Sequence, residues 1–167
     1  MAKDEKEEID LSQYKHLQAL KRHINLVIDA AQLLGERLIE QGEVDLGINL
    51  IKNSFLHDNS KFKGIEWNYL NRDTEDGEKL KLAHLQHVST NEHHPEYWGN
   101  INDMPEVYLA ELTCDWYSRG QEQGTDLREW IKTEATERFD FSPQGKAYKL
   151  IKKFVDLLLD EPFTKLK

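Results

Sequence analysis

Apolar residues in this chain recur at intervals of three and four almost from end to end. Tyr14, Leu17, Ile24, Val27, Ile28, Ala31, Leu34 and Leu38 form the first such stripe, which predicts a long amphipathic helix from about Leu11 to Gln41, stopped by Gly42. Asp45 is placed to cap a second helix through Leu46, Leu50, Ile51, Ser54 and Phe55 that runs into His57-Asp58. A turn over 59–64, a short helix holding Glu66, Trp67 and Leu70, and a polar loop over 71–77 follow. A helix from about 78 to 90 carries Leu80, Ala83, His84, His87 and Val88. Pro95 disfavours helical geometry just before it, so 91–102 reads as irregular.

Asp103 is a good N-cap for a helix over 105–119, with Gly120 as its stop. Thr125 or Asp126 opens a helix through Leu127, Trp130 and Ile131. Ser142 places a capping hydroxyl before Pro143 and the last helix, whose buried side is Leu150, Ile151, Phe154, Val155, Leu158 and Leu159. No segment alternates with period two. The expectation is all-α: one compact domain of about six to seven helices over 11–167, behind a charged tail over 1–10.

Composition narrows the partners. With 167 residues the chain suits one domain, and 38% hydrophobic residues with four Trp supply a core, which excludes wholesale disorder. The 22 Lys and Arg against 31 Asp and Glu leave a charge of −9, which disfavours long nucleic acid and anionic membrane. A small phosphorylated ligand stays compatible, because a pocket can hold local Lys, Arg or a metal ion. The single cysteine, Cys114, excludes an internal disulfide and a Cys-based zinc cluster. The charged start lacks the apolar stretch of a signal peptide, and no run approaches the ~20 apolar residues of a bilayer span. These features predict a soluble protein of a reducing compartment, the cytoplasm. A homodimer is compatible with everything above.

The chemistry gathers in the middle of the chain. Five of the seven histidines, His57, His84, His87, His93 and His94, fall within 57–94, together with Asp58 and, later, Asp115. Imidazole with carboxylate suits Zn, Fe, Mn, Ni or Co. His84, His87 and Asn91 share a helical face at spacings of three and four. Lys61 stands three residues beyond Asp58, within reach of a phosphate held at a metal. Asp115 sits among Leu109, Ala110, Leu112, Cys114 and Trp116, where a carboxylate needs a partner: a metal, or Arg22 or Arg119. Glu111 lies one turn earlier and can support a ligand, and Trp98 offers either a pocket wall or core packing.

The order His23, His57-Asp58-x-x-Lys61, His87, His93-His94 and Asp115 resembles the HD-domain metal-dependent phosphohydrolase superfamily. More narrowly, His-Asp-x-Ser-Lys-Phe, His-x-x-x-Asn-x-His-His-Pro-Glu-x-Trp and Asp-Trp are similar to a small HD-like family of phages and bacteria. The resemblance implies that His23, His57, Asp58 and Asp115 bind a first metal ion. It implies that His87 with His93 or His94 binds a second. The cofactor is then one or two divalent transition ions (Fe, Mn, Ni, Co or Zn). The branch that cleaves cyclic dinucleotides carries a Gly-Tyr-Pro segment; Tyr97-Trp98-Gly99 stands here instead.

The activity so implied is hydrolysis of a nucleotide or nucleotide-like phosphate by metal-activated water. Asp58, Lys61 and Glu66 would be catalytic, and Lys61, Asn91, Glu96 and Trp98 would bind substrate. Glu66 or Glu96 is the expected proton donor to the leaving group. Two alternatives stay open at this point: an HD-type di-iron oxygenase, and a non-catalytic metal-stabilised nucleotide-binding or interaction protein.

Overall fold

A computed structural model of the chain describes residues 9–160; residues 1–8 of the charged tail, and 161–167, lie outside the described residues. All regular structure within that range is helical. Helix α1 spans Ser12–Glu40 and α2 Val44–Ser54, followed by a 3-10 turn at Asn59–Phe62. Next come α3 (Gly64–Tyr69), α4 (Gly77–Thr90) and the single turn α5 (Pro95–Trp98). A 3-10 turn at Ile101–Asp103 leads into α6 (Glu106–Gln123). Helix α7 (Leu127–Trp130) passes through a π-helical stretch, Ile131–Ala135, into α8 (Thr136–Arg138), and α9 (Lys146–Leu159) closes the fold. The chain is a single all-α domain, as its periodicity predicts. No helix among the described residues is long and apolar enough to cross a membrane.

Helix α6 is the axis of the core, packed by α1, α2 and α9. Val27, Leu34 and Leu38 of α1, Leu50 of α2, Leu109 and Leu112 of α6, and Ile151 and Phe154 of α9 are buried together. Each such side chain contributes about 1.5–3 kcal/mol by leaving water. The first turns of α1 do not join this core: Tyr14 and Leu17 are exposed, as is Leu159 at the other end.

Helices α1 and α2 cross closely because two glycines face each other. A Cβ on Gly47 would stand 2.4 Å from the Gly35 carbonyl oxygen, and one on Gly35 would stand 2.8 Å from that of Gly47. Any side chain at either position forces the helices apart. From this crossing α2 runs antiparallel to α1, which delivers residues 57–58 to the level of His23, about three turns back along α1.

Several expected helix ends move. Helix α2 stops at Ser54, so His57-Asp58 lies on a turn beyond it and not on its last turn. Asp45 falls inside the first turn of α2 and makes no cap bond; Glu43 holds the cap position. Asp103 belongs to a 3-10 turn, and Pro105 precedes α6. Gly120 is interior to α6, which continues to Gly124, whose φ of 69° is the left-handed geometry that ends a helix. Ser142 and Pro143 lie in a turn before α9, whose N-terminal Ala147 N–H donates instead to the Asn102 side chain at 3.1 Å. Asp126 does cap α7, accepting from the Glu129 N–H at 3.0 Å.

Candidate metal centre

The turn after α2 creates the centre of the site. Asp58 adopts a left-handed backbone conformation, φ 55°, that L-residues adopt at a cost. The geometry turns its buried carboxylate inward, while its own carbonyl accepts from the Lys61 N–H. His57 is buried beside it. Helix α1 contributes His23, α4 contributes His87, and α6 contributes Asp115. His93 stands on the turn after α4 and His94 is the extended residue before α5; that change of backbone lets adjacent rings converge, with centroids 4.2 Å apart. All seven residues read as ligands from the sequence therefore meet in one place.

The two oxygens of Asp58 face different partners. Oδ1 lies 3.2 Å from His87 Nε2 and 3.4 Å from His93 Nε2. Oδ2 lies 3.6 Å from His57 Nε2 and 3.9 Å from His23 Nε2. His94 Nε2 joins the first group, 2.9 Å from His87 Nε2, and Asp115 joins the second, its Oδ1 3.0 Å from His23 Nε2. Donors about 2.1 Å from a shared ion are separated by about 3.0–3.4 Å at octahedral or tetrahedral angles. The Asp58 Oδ1 separations from His87 and His93 and the Asp115–His23 separation fall in that range. Groups of donors that could hold an ion are Asp58, His87, His93 and His94; His23, His57 and Asp58; and His57, His93 and Asp115.

Carboxylates behind the imidazoles fix which nitrogen faces inward. Glu111 accepts from His57 Nδ1 at 2.9 Å, Glu66 from His87 Nδ1 at 2.9 Å, and Glu122 from His23 Nδ1 at 3.1 Å. This backing selects the tautomer whose Nε2 lone pair is free for a metal. His23 Nε2, His57 Nε2, His93 Nε2 and Asp58 Oδ1 are buried without a hydrogen-bond partner. Polar atoms left so in a purely structural core would be costly, and metal bound at the donor groups that contain them would satisfy them. The residues present fit one or two transition ions.

Electrostatics follow from the packing. Burial alone would lower His57, but Asp58, the Glu111 hydrogen bond and Asp115 together push it up to about 9. Burial, then the neighbouring His93 and His87, push His94 down to about 2. Burial works to raise Asp58, yet His57 and Lys61 hold its carboxyl well below the usual range. Without metal, the raised His57 stabilises the fold fully below about pH 6.5, and this contribution is lost as pH climbs through about 9. His94 acts oppositely: below about pH 6.5 the unfolded chain takes up a proton that native His94 refuses, so stability falls on acidification. Melting of chelator-treated protein across roughly pH 5–9 is expected to give the highest Tm near pH 6.5. A Tm climbing steadily to pH 9 would contradict this balance.

A cleft of about 480 Å³ opens onto the centre. Lys61, His87, His94 and Asp115 line it on the ligand side, and Trp116, Arg119, Trp130, Arg138 and Phe139 line the remainder. In a chain of charge −9 this lining holds three cations, Lys61, Arg119 and Arg138, against the single carboxylate Asp115.

The other expected site residues fall elsewhere or serve differently. Lys61 is buried, its Nζ donating to Asp58 Oδ2 at 2.7 Å. Glu66 is fully buried, with its oxygens taken by His87, Ser60 and Gln86, so it holds His87 in place and has no open face towards a leaving group. Asn91 donates to the Ser60 hydroxyl and the His87 carbonyl, which fixes the end of α4 instead of reaching a ligand. Glu96 is exposed on α5, outside the cleft lining. Trp98 donates to the Glu92 carbonyl and packs on Tyr108, so core packing is its role and it forms no wall of the cleft. His84 is exposed and lines the cleft away from the donor groups. Arg119 pairs with Glu122, not Asp115.

Sequence reasoning missed Glu122 and the cleft's aromatic wall. The signal for Glu122 was present: Glu111, Asp115 and Glu122 recur at four and seven along one face of α6.

Residues 12–159 match the model of a family of unknown function, DUF5662. No curated protein and no solved structure matches the chain.

Proposed function

This chain belongs to the DUF5662 family, and we propose that it is a metal-dependent phosphohydrolase of HD type acting on a nucleotide or nucleotide-like phosphate. The observation that carries the reading is the division of Asp58. One oxygen faces His87 and His93, the other faces His57 and His23, and the whole arrangement borders a cation-lined cleft. Asp58, His87, His93 and His94 would hold one ion, and His23, His57 and Asp58 with Asp115 nearby would hold another.

Bound there, one or two divalent ions would lower the pKa of a water molecule and polarise the phosphoryl oxygens. The protein's own groups divide the remaining work. Glu111, Glu66 and Glu122 keep the imidazoles aimed inward. Lys61, pinned by Asp58 and lining the cleft, places a fixed ammonium where charge develops on the transferred phosphoryl group. Arg119 and Arg138 draw an anion into a cleft whose chain is otherwise acidic. The cleft suits a small substrate, and the acidic surface disfavours long nucleic acid.

The test is a screen of nucleoside mono-, di- and triphosphates with Mn, Fe, Co, Ni and Zn, reading released phosphate. Release with at least one metal, stopped by chelator, is expected. Tight nucleotide binding without release under any metal would identify a binding protein instead. Oxygen uptake by an iron-loaded form without phosphate release would identify an oxygenase.

A further inference from the structure

Half of the cleft is not explained by metal binding. Its far side is built by the segment from α7 to Phe139, which stands outside every motif that marks the metal centre. Trp116 and Phe139 are stacked there, with centroids 5.6 Å apart and planes at 22°. Trp130 meets Trp116 edge-on at 5.1 Å. Trp116 is nearly buried, whereas Trp130 and Phe139 keep part of their surface open and line the cleft.

Arg138 completes this wall. Its guanidinium lies 5.0 Å from the Phe139 ring centroid, and among the described residues no carboxylate stands within ion-pair distance of it. Arg119, by contrast, is engaged by Glu122 at 3.1 Å. The Arg138 guanidinium is exposed and lines the cleft, so it is open to a group that enters there. The π-helical stretch Ile131–Ala135 lies between Trp130 and Arg138. Such a wider turn is frequent at functional sites and changes the register in which later side chains face a neighbour.

We infer that this wall reads the part of the substrate that does not react, and that this part carries a flat aromatic or heteroaromatic ring, packed on Trp130 and Phe139 and flanked by Arg138. The inference rests on the phosphohydrolase reading for the identity of the anionic end, which meets Lys61 and the metal ligands. Planar π surface matches an aromatic wall at low entropic cost, and a guanidinium stacks on rings as well as pairing with anions. The volume of about 480 Å³ lies in the lower half of the range for small-molecule sites, enough for one ring system and a phosphoryl group.

The experiment uses the full chain with the metal it retains on purification, and three probes: inorganic phosphate, methylphosphonate and phenylphosphonate. The carbon–phosphorus bond keeps the last two from being hydrolysed during a titration. Phenylphosphonate is expected to bind at least about tenfold more tightly than methylphosphonate, in line with the known strength of ring stacking on aromatic side chains. Trp130→Leu should reduce that preference to roughly threefold or less, with affinity for inorganic phosphate unchanged. Arg138→Gln, a substitution at an exposed position that leaves the core intact, should reduce it in the same direction.

Equal binding of the two phosphonates by the natural chain would overturn the inference while leaving the phosphohydrolase reading standing. A ring preference that survives both substitutions would overturn the assignment of this wall. Failure of all three probes to bind would overturn the anion site, and with it the function proposed above.

Discussion

Asp58→Asn is expected to leave the helical fold in place and strip the chain of metal. The substitution keeps the shape of the side chain but removes its negative charge and replaces one carboxylate oxygen with an NH2 group, which donates hydrogen bonds and cannot ligate. Because Oδ1 and Oδ2 face different imidazole groups, one change damages both halves of the centre. The loss should exceed the roughly 10–100-fold that follows when a ligand merely loses its hydrogen-bonding support. Lys61 would lose its carboxylate partner, so some loss of stability accompanies the change. Metal content and phosphate release, with circular dichroism alongside, check the prediction. Asp29→Asn, on the exposed side of α1, is the control and should behave as the natural chain. Full metal content in Asp58→Asn would show that this carboxylate does not organise the site.

Glu111→Gln is the second large effect. Glu111 touches no substrate; it accepts from His57 Nδ1 at 2.9 Å and its Oε1 stands 3.4 Å from His93 Nδ1. Glutamine retains an oxygen that can accept one of these hydrogen bonds but lacks the negative charge that makes both rings stronger donors to a metal. Metal affinity should fall by roughly 10–100-fold, read by competition with a coloured chelator. The metal-free form should also melt lower at neutral pH, because Glu111 helps keep His57 protonated, so metal affinity is read well below the melting temperature to separate support of a ligand from support of the fold. An affinity within about twofold of the natural chain would mean that the His57 ring is held by its packing alone.

The parts of this molecule that were legible in the sequence are those governed by local spacing. The stripe from Val27 to Leu38 is a helix face because 3.6 residues make a turn, and the buried face of α9 follows the same rule. His57, Asp58, His87, His93, His94 and Asp115 were legible from the clustering of histidines, from a carboxylate among apolar neighbours, and from their HD-like order. What was not legible depends on distant partners. The cap of α9 comes from Asn102, more than forty residues away, so Ser142-Pro143 was a sound local signal overridden by a tertiary one. Gly120 and Gly124 are both plausible stops; the chain uses the second because Gln121 to Gln123 continue a helix without strain.

Roles also depended on geometry that spacing does not contain. The HD-like resemblance offers Glu66 or Glu96 as the proton donor, but the complete burial of Glu66 against His87 makes it a brace. Asn91, Glu96 and Trp98 sit beside the histidine pair in sequence, yet the chain turns them away from the cleft. The cleft wall of Trp116, Trp130, Arg138 and Phe139 is assembled from two segments, α6 and the stretch from α7 to Phe139.

The central claim is that the orphaned nitrogens of His23, His57 and His93 and the orphaned oxygen of Asp58 exist to hold metal. Elemental analysis of freshly purified protein, prepared without added metal, tests it most directly. The account predicts about one to two equivalents of Fe, Mn, Ni, Co or Zn per chain, lost in Asp58→Asn. A natural chain that is metal-free as purified, and that takes up none of these ions on titration, would contradict it.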